Sequence, residues 1–148
     1  MNKRGRTWLP FIVKTLATVY LVEAPLLVVL RAIVLMFVPS KIDWGEPFNG
    51  IPMRVWAVVL AVAALTYLAS GILGWVIGVW LARRQPGAIQ AWQLFSTWLV
   101  VQHGAWLVWA YLTRPVGSAF WLLPFSVLQG VVVLALTIYS WFLKKETG

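Results

Sequence analysis

Few side chains in this 148-residue chain could carry out chemistry, and the most conspicuous is a glutamate inside a long apolar stretch. Glu23 lies near the middle of the apolar run 9–38. His103, the sole histidine, follows Gln102 in a later apolar run, and Gln129 lies in the middle of another. A carboxylate and an imidazole can relay a proton or bind a cation, and amides can hydrogen-bond between helices.

These four residues allow two interpretations, because each falls near the midpoint of its apolar run. If the runs cross a membrane, Glu23, Gln102, His103 and Gln129 form a polar layer at mid-membrane depth. Such a layer either holds helices together by hydrogen bonds or serves as a relay or substrate site. The first is favoured, because no second carboxylate lies at this depth to pass a proton on. Lys14, nearer one end of the first run, can extend its ammonium towards the membrane surface.

His103 also has a third interpretation, as an axial ligand of a tetrapyrrole such as haem or chlorophyll. A neutral imidazole can ligate a metal through either ring nitrogen, and the adjacent Gly104 would leave room for a macrocycle. Other cofactor chemistry is poorly supported. The chain has no cysteine and four acidic residues, whereas zinc and di-iron sites require several histidine, cysteine or acidic ligands. We therefore expect no metal site and no catalytic residue, and a protein that is not an enzyme.

The elements that carry these residues are predicted from composition. Hydrophobic residues make up 61% of the chain and charged residues 11%, against about a quarter charged in soluble domains. Four apolar stretches, 9–38, 55–81, 91–112 and 119–143, each reach the roughly 20 residues that a membrane-spanning helix requires. Short connections favour antiparallel neighbours. The predicted fold is an all-α integral membrane protein, an up-down bundle of four transmembrane helices forming a single transmembrane domain over 1–148.

The distribution of basic residues predicts how this bundle is oriented. The net charge is +8, and the basic residues cluster near helix ends. One side would carry Lys3, Arg4, Arg6, Arg83, Arg84, Lys144 and Lys145, and the other Lys41, Arg54 and Arg114. Because cytoplasmic loops are enriched in Lys and Arg, both termini are predicted to be cytoplasmic. We expect a multi-pass protein of the cell membrane, namely the inner membrane of a bacterium. Its expected partners include membrane lipids and exclude nucleic acid.

Eleven tryptophans suggest a membrane interface. Tryptophan prefers the headgroup level, and seven copies fall near predicted helix ends as interfacial anchors. These are Trp8, Trp56, Trp80, Trp92, Trp109, Trp121 and Trp141. Trp75, Trp98 and Trp106 lie deeper. They are expected to pack between helices or to contact an apolar ligand such as a lipid tail, a quinone or a carotenoid.

The second apolar stretch carries a stripe of small residues. Thr66, Ser70, Gly74 and Gly78 recur every four residues, and Gly71 widens the stripe. Small side chains on one helix face permit close approach of a second helix, so the stripe is predicted to be a packing surface. The partner helix could belong to this chain or to another.

Two functional hypotheses follow from these features. The first is a non-catalytic accessory or structural subunit of a larger membrane complex, with energy-converting complexes as one candidate, packed against other subunits or against copies of itself. The second is a small oligomeric transporter coupled to protons or cations, or a lipid-translocating protein. The second hypothesis would use Glu23 and His103 at mid-membrane depth.

Overall fold

The computed structural model describes residues 5–37, 47–48, 51–113 and 122–145. Within them the chain forms four α-helices and one short hairpin, which confirms the prediction of an all-helical fold with four helices. The elements are α1 (Gly5–Phe37), β1 (Pro47–Phe48), β2 (Ile51–Pro52), α2 (Met53–Ala82), α3 (Ala88–Thr113) and α4 (Leu122–Lys145). The two strands pair antiparallel, with Phe48 opposite Ile51. Each helix begins and ends within four residues of its predicted bounds.

Two helices are long and apolar enough to span a membrane. The apolar segments are Trp8–Val29 of α1, with 22 residues, and Val58–Ala82 of α2, with 25 residues. At about 1.5 Å per residue these segments are roughly 33 Å and 37 Å long, compared with a hydrocarbon core of about 30 Å. A shorter apolar segment, Ser126–Phe142, lies in α4.

The helices fall into two compact units. One comprises Trp8–Val79 and thus pairs α1 with most of α2. The other contains the described residues of Met1–Thr7 and Trp80–Gly148, which include α3 and α4. The organisation as a single domain stays a prediction.

In the first unit, α1 and α2 pack antiparallel through the glycine-bearing face of α2. A Cβ added at Gly71 would lie 2.6 Å from Leu21 Cγ, and one added at Gly78 would lie 2.7 Å from Lys14 Cγ. Neither position has space for a Cβ unless the facing side chain, Leu21 or Lys14, shifts. The partner of this face is therefore α1 of the same chain.

Buried aromatic residues extend the α1–α2 contact beyond Gly71, on the side away from Gly78. Tyr20 and Tyr67 are both buried, and their rings meet edge to face with centroids 5.4 Å apart. Ser70, one of the predicted small residues, is also buried. The contact thus combines close backbone approach at Gly71 and Gly78 with an aromatic pair, which is favoured in edge-to-face geometry.

The turn from α2 to α3 has a Schellman-type ending. Gln85 N donates to Trp80 O at 3.0 Å, and Arg84 N donates to Leu81 O at 3.2 Å, which satisfies two carbonyls of the last turn. This geometry requires a left-handed residue after the helix, and Arg84 takes that position with φ 54°. Gly87, with φ 81°, then precedes α3.

Candidate functional site

The candidate site is a polar interface between α3 and α4. Gln93 on α3 and Ser140 on α4 are both buried. Gln93 Nε2 donates to the backbone carbonyl of Ser140 at 3.0 Å, so the two helices are joined by a hydrogen bond within the interior. A hydrogen bond of this kind contributes about 0.5–1.5 kcal/mol to stability.

His103 occupies the other end of the same interface. Its side chain is 1% exposed, and Nδ1 lies 3.4 Å from Ser126 Oγ on α4. Which of the two atoms donates depends on the imidazole tautomer. A Cβ added at Gly130 would lie 3.4 Å from His103 Cβ, so the glycine lets the imidazole lie directly against α4.

Hydroxyl groups line the interface between these two contacts, and they bond within their own helices. Ser96 Oγ donates to Gln93 O at 3.1 Å, Thr137 Oγ1 to Val133 O at 2.8 Å, and Ser140 Oγ to Thr137 O at 2.7 Å. Bonding to the preceding turn satisfies a buried hydroxyl donor without a partner on the facing helix. These hydroxyls therefore satisfy their donors within their own helices and do not donate across the interface.

The predicted polar layer is buried on α3 and α4. Gln102, His103 and Gln129 all belong to the buried residues, and Gln129 precedes the Gly130 that contacts His103. Glu23 lies on α1, in the other compact unit, where its side chain is half-buried and its Oε2 atom is buried. A hydrogen-bonded layer that joins Glu23 to the α3 and α4 residues stays a prediction.

Tetrapyrrole ligation by His103 would require a change in this packing. The ring is 1% exposed, and Gly130 and Ser126 of α4 lie against it. Gly104 does have open space around it, since a Cβ there would meet nothing within 4 Å. The free space thus lies next to Gly104 and not at the imidazole that would bind the metal. Among the described residues no group of three histidine or acidic side chains is placed to hold a metal ion.

The predicted interfacial tryptophans differ in exposure. Trp80 and Trp141 are exposed, Trp8 and Trp109 are half-buried, and Trp92 is buried at 1% exposure. Trp92 packs against Phe95, with ring centroids 6.2 Å apart, so little of its indole can contact a headgroup. Trp121 lies outside the described residues, and only the backbone of Trp56 is described. Of the deeper tryptophans, Trp98 is 51% exposed and Trp106 is half-buried.

The α3–α4 interface contains residues that analysis of the sequence did not single out. These are Gln93, Ser96, Thr137 and Ser140. These residues could have been recognised by their helical spacing. On α3, Gln93 and Ser96 precede His103 by ten and seven residues. On α4, residues 126, 130, 137 and 140 follow a similar period. A search for polar residues at a period near 3.5, rather than at one membrane depth, would have found them.

We predict that Gln93→Leu weakens the α3–α4 unit, because it removes the interhelical bond to Ser140 O while preserving bulk. The free energy of unfolding in detergent should fall by about 1 kcal/mol. Gln90→Leu is the matched control, since Gln90 lies on the same helix and is exposed. Denaturation by SDS, followed by circular dichroism, measures both variants. Equal stability changes in the two variants would contradict a structural role for the Gln93 amide.

Comparison with known protein families, with curated proteins and with solved structures finds no match for this chain.

Proposed function

We propose that this protein is a four-helix integral membrane protein, with both termini in the cytoplasm, that serves as a non-catalytic accessory subunit of a larger membrane complex. The observation that carries the proposal is the separation of polar and apolar side chains. Polar residues on α3 and α4 are buried against each other, whereas large apolar residues are exposed. A bundle with this arrangement presents to its surroundings the surface that lipid or another membrane protein would cover.

The exposed apolar side chains are distributed over all four helices. Examples are Phe11 and Val22 on α1, Leu65 and Ile72 on α2, Leu94 and Tyr111 on α3, and Leu128 and Phe142 on α4. Soluble monomers rarely expose extended apolar patches of this kind. The lengths of the α1 and α2 apolar segments further support embedding in a bilayer.

The buried polar groups support a structural role. Gln93 bonds to the α4 backbone, and the hydroxyls of Ser96, Thr137 and Ser140 bond within their own helices. The Gln93 bond joins α3 to α4, whereas the hydroxyl bonds satisfy buried donors within each helix. The aromatic surface, including Trp98 and Trp141, would then contact lipids or neighbouring subunits.

Co-purification tests the proposal. Membranes from cells that express the tagged chain at native level are solubilised in a mild detergent, and the captured protein is run on a native gel. We expect it to migrate in a discrete complex with other subunits at fixed stoichiometry. An unrelated membrane protein with the same tag and expression level serves as the control. Migration of the chain by itself, as a monomer or small homo-oligomer, would overturn the accessory-subunit assignment.

One observation favours the alternative, a transporter coupled to protons or cations. Glu23 lies inside the apolar segment Trp8–Val29, and an ionisable group at such a position is costly unless it is protonated or paired. In this scheme Glu23 and His103 each take up and release a proton, or bind a cation, as helices move. A lipid-translocating protein would use the same polar groups to pass a headgroup.

We predict for this alternative that Glu23→Gln abolishes flux without unfolding the protein. The amide preserves the size of the side chain and still forms hydrogen bonds, but it cannot take up or release a proton. Proton flux is measured in proteoliposomes with an internal pH-sensitive dye and an imposed potential, and circular dichroism checks the fold. Wild-type flux that exceeds that of empty liposomes and drops to it in Glu23→Gln supports the alternative. Flux that is unchanged by the substitution removes Glu23 from the mechanism.

A further inference from the structure

Lys14 is a charged residue inside an apolar segment, and its surroundings suggest a ligand. It lies six residues after Trp8, the first residue of the segment, or about 9 Å along the helix axis. Its stem crosses α2 at Gly78, where an added Cβ would lie 2.7 Å from Lys14 Cγ. The stem thus runs against α2, and the ammonium lies near Trp75 of the same helix.

Trp75 receives the ammonium on its ring. Lys14 Nζ lies 5.6 Å from the centroid of the Trp75 ring, within the range of a cation–π interaction. The indole is fixed in turn, because Trp75 Nε1 donates to Thr18 Oγ1 at 3.2 Å, while Thr18 Oγ1 donates to Lys14 O at 2.9 Å. The three side chains form one cluster, which we name the Lys14 cluster.

Among the described residues, no carboxylate compensates the positive charge of the Lys14 cluster. An ammonium group has three N–H donors, and the face of the Trp75 ring can accept at most one of them. No carboxylate of the described residues lies within ion-pair distance of Lys14 Nζ, and Glu23 is nine residues further along the helix. A cation within an apolar segment is stabilised by an anion that approaches from the side open to the surroundings.

The surface around the Lys14 cluster is apolar and open. Trp75 is 41% exposed and Thr18 is exposed. One turn further from the predicted cytoplasmic side on the same helices, Val22 of α1 and Ile72 of α2 are also exposed. A ligand that fits has an anionic group for Lys14 and a long apolar part that runs along α1 and α2.

We propose that the Lys14 cluster binds the phosphate of an anionic glycerophospholipid, whose acyl chains lie along Val22 and Ile72. The proposal rests on the membrane embedding put forward above. Lys14 donates to the phosphate oxygens, Trp75 supplies a rigid face beside the glycerol and upper acyl chain, and Thr18 positions the indole. The cytoplasmic leaflet is rich in anionic lipid, so the leaflet nearest Lys14 in the proposed orientation supplies this ligand.

Binding of defined lipids to the purified full chain tests the proposal. Native mass spectrometry counts molecules of phosphatidylglycerol, or of phosphatidylcholine with identical acyl chains, bound to the protein in detergent. We expect wild type to bind phosphatidylglycerol more tightly. Lys14→Gln should weaken that binding about tenfold, the effect of one charge-assisted hydrogen bond, and leave phosphatidylcholine binding unchanged. Lys14→Arg should retain binding, since a guanidinium also binds phosphate.

Arg83→Gln is the matched control, because it also removes one positive charge and Arg83 is exposed in the α2–α3 turn. Its phosphatidylglycerol affinity should match wild type. Unchanged binding in Lys14→Gln, an equal loss in Arg83→Gln, or equal losses for both lipids would each overturn the site. Displacement of the lipid by inorganic phosphate alone would overturn the role of the acyl chains. If Lys14→Gln loses a partner subunit but binds lipid normally, the anion is a protein carboxylate and the lipid assignment is wrong.

The two proposals can fail separately. Lipid binding is measured on the isolated chain and requires no partner, whereas the accessory-subunit assignment depends on co-migration from native membranes. Embedding itself is checked by an alkaline carbonate wash, after which an integral protein stays in the membrane pellet.

Discussion

Replacement of Gly71 by leucine is expected to destabilise the α1–α2 unit, with a loss in the free energy of unfolding of about 1–3 kcal/mol. A Cβ at this position would lie 2.6 Å from Leu21 Cγ, 2.8 Å from Leu21 Cδ2 and 3.1 Å from Ala17 O. Leu21 can change rotamer, but the carbonyl of Ala17 is backbone and moves only if α1 moves. The two helices must then separate, and the contacts between them weaken together.

Gly104→Leu is the matched control for Gly71→Leu. Gly104 is also inside a helix, but a Cβ there would meet nothing within 4 Å. Leucine favours helix by nearly 1 kcal/mol over glycine, so Gly104→Leu should be neutral or slightly stabilising. Both variants are measured by SDS denaturation in the same mild detergent. If the two leucines have equal effects, close approach of α1 to Gly71 is not what holds the unit together.

A double-mutant cycle identifies the clash. Leu21→Ala removes both side-chain atoms nearest to the new Cβ, so the loss in Gly71→Leu should be smaller in that background. Relief should be partial, because Ala17 O remains. Residues in direct contact show interaction energies of roughly 0.5–3 kcal/mol, and a value near zero would indicate that Leu21 is not the group displaced.

Trp92→Ala is expected to have the largest effect on the α3–α4 unit, a loss of about 3–5 kcal/mol in the free energy of unfolding. Trp92 is 1% exposed and packs against Phe95, so truncation leaves a cavity in the interior. In a bilayer the loss is one of dispersion contacts, since lipid tails replace water as the surroundings.

Trp98 is the matched control, as it lies on the same helix and is 51% exposed. Lipid or detergent can fill the space left by Trp98→Ala, so its effect should be below about 1 kcal/mol. A smaller change at position 92, Trp92→Phe, should be tolerated better than Trp92→Ala. The indole nitrogen it removes is buried and has no hydrogen-bond partner among the described residues. Equal losses in Trp92→Ala and Trp98→Ala would show that Trp92 acts at the membrane interface and not in the core.

The contrast between these tryptophans indicates what a sequence can and cannot predict here. Counting residues from a helix end gives the depth of a side chain, and on depth alone Trp92 resembles Trp80 and Trp141. Whether a side chain faces lipid or a neighbour depends on rotation about the helix axis. In α3 apolar residues occur on all faces, so only the spacing of the buried polar residues Gln93, Ser96 and His103 indicates that rotation.

The helices themselves could be predicted closely, because long apolar runs bounded by Pro, Gly and charged residues leave little choice of structure. The small residues of α2 could also be found from their period of four. The partner was not predictable, since close approach at Gly71 and Gly78 depends on Leu21 and Lys14, which have no distinctive pattern on α1. Similarly, His103 was conspicuous as a sole imidazole, whereas its contacts Ser126 and Gly130 are common residues in helices.

The left-handed Arg84 has a consequence for how the chain is made. Glycine takes this conformation without strain, whereas an L-residue with a side chain incurs a penalty of roughly 1–2 kcal/mol. The turn nevertheless carries two adjacent arginines, Arg83 and Arg84, and in the proposed orientation they are the positive charges between the second and third helices. During membrane insertion, such charges favour the orientation in which the charged end of a helical hairpin stays in the cytoplasm. In the proposed orientation, Arg84 thus combines a strained backbone with a charge that acts during membrane insertion.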